Sequence, residues 1–151
     1  MFSSLKSLMT KSDDLNVKEN RQDISIAILL LEIADVDGHF DENEKEMILE
    51  TLRYRFEVNE EQAKQLLAEA VELRQSSNDL WEFTNYLNEN LKEDERFEIL
   101  EEIWRVILAD GKIDAHETSL VRRFTDLLHL SHDDMIEAKL NIIDEMGGDD
   151  R

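Results

Sequence analysis

Two short acidic stretches carry the residue types most able to do chemistry. The first is Asp37-Gly38-His39-Phe40-Asp41-Glu42-Asn43-Glu44 and the second is Asp110-Gly111-Lys112-Ile113-Asp114-Ala115-His116-Glu117. Both read Asp-Gly-x-apolar-Asp-x-x-Glu, at an offset of 73 residues. Carboxylates at such spacing suit a hard divalent cation. The turn matches the second half of an EF-hand loop, which has Asp at position 5, Gly at 6, an aliphatic at 8 and Glu at 12. The first half is missing. Position 1 falls on Ile33 or Val106, and position 3 on Asp35 or Leu108. Calcium wants 6–8 oxygens, so a site needs carboxylates pooled from both turns. The candidate ligands are Asp35, Asp37, Asp41 and Glu44 from the first turn, with Asp110, Asp114 and Glu117 from the second. Calcium, magnesium, manganese and zinc all remain open.

Ordinary turn chemistry explains part of the same motif. Gly38 and Gly111 suit a left-handed residue ending a helix. Asp41 with Glu44, and Asp114 with Glu117, have capping-box spacing for the next helix. Asp37 and Asp110 are not covered by this reading. Each stands at the C-terminal end of a helix, where the macrodipole is negative and a carboxylate costs about 0.3–1 kcal/mol. A bound cation would offset that cost, as would a basic side chain or backbone amides. A protein-binding acidic patch is the third alternative. His39, His116, His129 and His132 read as exposed or capping residues, and Trp81 and Trp104 as core.

The elements that must hold these turns are helices. Apolar spacing is helical nearly throughout, and no alternating strand pattern competes. One helix carries Ile24, Ile28, Leu31 and Val36 and ends at Gly38; the next opens at Asp41. A third opens at Asn59 with Gln62, a fourth runs through Leu80, Phe83 and Leu87, and a fifth extends from about Lys92 to Ala109. The sixth opens at Asp114 and the seventh at Ser131 with Asp134. The match between the two halves extends outward. Ile33 aligns with Val106, Met47 with Leu120, and Val58-Asn59 with Leu130-Ser131 at an offset of 72. The expectation is an all-α domain of about seven helices. It contains two pseudo-symmetric copies of a helix–acidic turn–helix–helix unit. Residues 1–20 form an arm or short helix, 21–146 the domain, and 147–151 a frayed tail.

Composition narrows the function. The chain of 151 residues has no cysteine, which removes thiolate metal sites, disulfides and cysteine nucleophiles, and suits a reducing cytoplasm. Net charge is −20, and the first 20 residues sum to zero, so the excess lies in the rest. Such a body repels phosphate backbones and anionic lipid. The expected partners are cations or a basic or membrane-associated protein surface rather than nucleic acid. The longest apolar run, Ile24 to Ile33, is interrupted by Ser25 and Glu32, and is too short for the ~18 residues of a membrane span. No phosphate loop, nucleophile elbow or zinc-protease motif is present, so no enzyme is expected. The oligomeric state is not legible.

The stretch Ala34-Asp35-Val36-Asp37-Gly38-His39-Phe40-Asp41-Glu42-Asn43-Glu44, repeated as Ala109-Asp110-Gly111-Lys112-Ile113-Asp114-Ala115-His116-Glu117, resembles the TerB (tellurite-resistance protein B) family over roughly residues 21–145. The resemblance implies a compact helical bacterial domain linked to tellurite and stress resistance, for which metal binding has been proposed. Related domains accompany J-domains in membrane-bound co-chaperones. This chain has no proline, so it lacks the His-Pro-Asp signature of a J-domain.

Overall fold

A computed structural model describes residues 11–34, 42–109 and 115–147; for residues 11–20, Asn43 and Glu44 it describes the backbone alone. Among the described residues there are seven helices and no strand. They are α1 (Lys11–Ala34), α2 (Glu42–Phe56), α3 (Glu60–Gln75), α4 (Trp81–Asn90), α5 (Glu93–Ala109), α6 (Ala115–Leu127) and α7 (His132–Gly147). Helix α1 begins at Lys11 and runs without a break past Arg21. The expected end of the first helix, at Gly38, lies outside the described residues, and α5 is described as far as Ala109, the expected end of the fifth.

Helix α1 occupies the centre. Every residue from Ser25 to Leu31 is buried, as are Ile33 and Ala34. A helix apolar on all sides is stable only when surrounded, and α1 packs against α2, α3, α4, α5 and α6. The Ile24–Ile33 run is therefore a core helix, and no described helix is long and apolar enough to cross a membrane. Glu32, the charge inside that run, pairs with Arg74 on α3. The closest packing joins α1 to α3 and α5 to α7, and α1 also packs on α5. The core is completed by Leu52, Leu67, Leu87, Leu100, Ile103, Trp104 and Phe124.

Local chemistry fixes the helix ends. Asn59 and Gln62 form a reciprocal capping box at the start of α3. Ser131 and Asp134 do the same for α7: Asp134 N donates to Ser131 Oγ at 3.0 Å, and Ser131 N donates to Asp134 Oδ2 at 2.9 Å. Both boxes were readable in the sequence. Just before each box lies a left-handed residue that is not glycine, Glu57 (φ 53°) or His129 (φ 57°). Each is followed by a bond reaching back five residues, Val58 N to Arg53 O at 3.3 Å and Leu130 N to Thr125 O at 2.9 Å. These close a Schellman-type helix end.

The tryptophans divide. Trp104 is buried and donates its indole N–H to Met135 O at 3.0 Å. Trp81 is 60% exposed, which corrects its assignment to the core. Leu80, Phe83, Thr84 and Leu87 form the buried stripe of α4, and Trp81 sits about 100° of helical turn away from Leu80.

Two measurements test this account of stability. Ile28→Ala should lower the unfolding free energy by about 2–5 kcal/mol in urea titrations, because the cavity opens at the centre of the bundle. His129→Gly should raise it by up to about 1 kcal/mol by relieving the left-handed backbone.

Candidate functional site

The described structure reaches the two acidic turns from both sides and does not cover their centres. Asp35, Asp37, Asp41, Asp110 and Asp114 lie outside the described residues, as do His39, both turn glycines and the side chain of Glu44. Glu117 is partly buried in the first turn of α6, and His116 beside it is exposed. Among the described residues, no three His, Asp or Glu side chains gather in a way that could hold a metal ion. Helices α1 and α5, which lead into the two turns, pack against each other. Among their described residues neither carries a basic residue in its last turn. The same holds for α4, α6 and α7, whereas α2 ends with Arg53 and Arg55, and α3 with Arg74. His129 and His132 are both exposed, as read from the sequence.

A second charged arrangement was not anticipated. A groove of about 420 Å³ lies between α2, α5 and α7, lined by Met47, Glu50, Thr51, Tyr54, Glu102, Arg105 and Glu145. Arg105 grips Glu145 through two parallel bonds, Nε to Oε2 at 2.9 Å and Nη2 to Oε1 at 3.0 Å. Its Nη1 donates to Glu102 Oε2 at 2.6 Å. The other oxygen of Glu102 lies 3.4 Å from Arg55 Nη1. Glu102 is buried, with two guanidinium groups to balance it. The guanidinium of Arg105 also stands 6.0 Å from the Tyr54 ring centre.

The Glu145 hydrogen bond holds the Arg105 pKa above its ordinary value, against the opposing effect of burial; the charges of Glu102 and Glu145 and the Glu102 hydrogen bond add to the rise. The Glu145 carboxyl is pushed below the usual carboxylate range, first by its hydrogen bond from Arg105. Arg55, Glu102, Arg105 and Glu145 together sum to zero charge. Their chemistry is that of a tie between three helices. A sequence signal existed for it: Glu102 interrupts the apolar stripe of Ile99, Ile103 and Val106, and a carboxylate in a buried stripe needs a cationic partner.

Residues 23–140 match the family model for tellurite resistance protein TerB. The chain belongs to the TerB family. The helical architecture expected from the resemblance is the one observed. No curated protein is significantly similar to the chain. Among solved structures, this TerB domain is similar to the crystal structure of a protein of unknown function from Porphyromonas gingivalis W83. The two share 18% identity with a TM-score of 0.62, over 82% of this chain and 94% of the other. That likeness concerns the fold.

The charged tie has a pH signature. A carboxyl whose pKa is lowered in the folded state adds stability above its unfolded pKa and loses it on acidification. Glu145 is half-exposed, so Glu145→Gln should cost less than about 1 kcal/mol at neutral pH. The difference should begin to shrink as pH falls through the unfolded carboxylate range near about 4, and be lost below the lowered folded pKa. Arg105→Met leaves buried Glu102 with Arg55 alone and should cost about 1–3 kcal/mol. Urea titrations of both variants across pH would measure these effects.

Proposed function

We propose that this TerB-family chain is a non-enzymatic domain, built from two copies of one three-helix unit, that takes up a divalent cation on its acidic turns. The duplicated architecture draws support from matched details at the offset of 72. The Asn59/Gln62 box corresponds to Ser131/Asp134, and Glu57 to His129 as the left-handed residue. The five-residue back-bonds from Val58 and Leu130 correspond as well. On this reading α1, α2 and α3 form one unit, α5, α6 and α7 the other, and α1 meets α5 at the junction.

One observation carries the cation. As far as they are described, to Ala34 and Ala109, α1 and α5 have no basic residue in the last turn, and each is followed by carboxylates, Asp35 and Asp37 or Asp110. A basic side chain is one of three ways to offset the helix-end repulsion, and neither described segment supplies one. A divalent ion shared among Asp35, Asp37, Asp41, Glu44, Asp110, Asp114 and Glu117 would offset that repulsion. A role of the stress- or tellurite-resistance type is what the family's name suggests, a cytoplasmic location is what the lack of cysteine suits, and both are part of the proposal.

The test is a thermal melt of the chain after chelation, then with calcium, magnesium, manganese or zinc. An ion at 100 times its dissociation constant adds about 2.7 kcal/mol to folding stability. Asp37→Asn with Asp110→Asn should raise the stability of the ion-free chain and abolish the ion response. No shift with any of the four ions overturns the cation reading. A less stable ion-free double variant identifies the two aspartates as structural caps.

A further inference from the structure

Helix α7 carries more apolar surface than the fold covers. Its buried face is Met135, Ala138 and Ile142. A second apolar stripe runs beside it: Ile136, Leu140 and Ile143 at i, i+4 and i+7, exposed at 39%, 57% and 39%, with Met146 at 43%. Among the described residues, seven large apolar side chains are exposed, and these four share one helix; the others, Tyr54, Leu73 and Trp81, are on α2, α3 and α4. Single exposed apolar residues are normal, whereas a contiguous patch of a few hundred Å² marks an interaction surface. The edge of the stripe away from the core is lined by Asp133, Glu137 and Asp144, all exposed. Lys139, the only lysine or arginine of α7, stands 5.3 Å from the Trp104 ring centre, on the side toward the core.

We propose that the Ile136/Leu140/Ile143 face of α7 docks a cationic amphipathic helix of a partner protein. An apolar stripe at helical spacing is the footprint that such a helix covers. The acidic edge pairs with lysine or arginine flanking the partner's apolar side, and the net charge of −20 draws a cationic segment in from solution. The same charge opposes a second copy of the chain. An anionic membrane surface is repelled for the same reason. None of its residues is a turn carboxylate, and the proposal does not depend on a cation there.

The test titrates a labelled Leu/Lys amphipathic peptide with the full chain at physiological ionic strength, reading anisotropy. A control peptide keeps the lysines and replaces every leucine by serine. The leucine peptide should bind, and Leu140→Gln with Ile143→Gln should weaken it at least about tenfold. Removing the acidic edge (Asp133→Asn, Glu137→Gln, Asp144→Asn) should weaken it and flatten its salt dependence. Removing the same number of charges elsewhere, at Glu61, Glu82 and Glu98, should change affinity less than about twofold. Leu140→Gln alone, at an exposed position, guards against misfolding of the double variant, with thermal melts confirming the fold. Equal binding by the glutamine variants, or by the serine peptide, overturns the proposal. So does a dimer in sedimentation that Leu140→Gln dissociates, which assigns the face to a second copy. Flotation with phosphatidylcholine vesicles that the same substitution abolishes assigns it to lipid and overturns it as well.

Discussion

The burial of α1 on all sides is the constraint from which the rest of the fold follows. From Ser25 to Ala34 only Glu32 reaches solvent, and its charge is tied to Arg74. A segment this apolar offers no polar face to water, so other helices must enclose it completely. Five of them do. Their amphipathic stripes face inward, and their outer faces carry the charge. The interior is therefore nearly free of charge in a chain of net charge −20, and the repulsion is spread over a large wet surface where salt screens it.

Where a charge does enter the interior, the structure answers it with guanidinium. Glu102 has two arginine partners and Glu32 has one. Removing one partner of such a group is costlier than the pair is worth, because the other charge stays behind in a poor solvent. These ties set the relative positions of helices that apolar packing alone would leave free to slide. Arg105 links α5 to α7, while Glu102, bound to both arginines, joins α5 to α2.

Much of this was legible in the sequence, because helical periodicity and capping residues are local signals. The boxes at Asn59/Gln62 and Ser131/Asp134 are set by residues three apart. The exposure of Trp81 was not legible. Its position relative to the stripe of α4 depends on where that helix starts, and Leu80 takes the buried place beside it. The Arg55–Glu102–Arg105–Glu145 tie joins residues far apart in sequence, so no spacing rule finds the partners, although Glu102 inside an apolar stripe marks one end. The overlong apolar arc of α7 is visible as residues, but periodicity does not say how much of an arc its neighbours cover. As for the candidate cation site, the motif was legible, while Asp35, Asp37, Asp41, Asp110 and Asp114 lie outside the described residues.

The central position of α1 has a consequence for how the chain is made. The helix that five others enclose leaves the ribosome before any of them. Its last covering partner, α6, ends at Leu127. At about 5–20 residues per second, the ribosome needs on the order of ten seconds to supply it. Throughout that interval the most apolar segment of the protein has no complete shelter. Its final burial waits for α6, and until then the nascent chain presents α1 to any chaperone that holds exposed apolar helices.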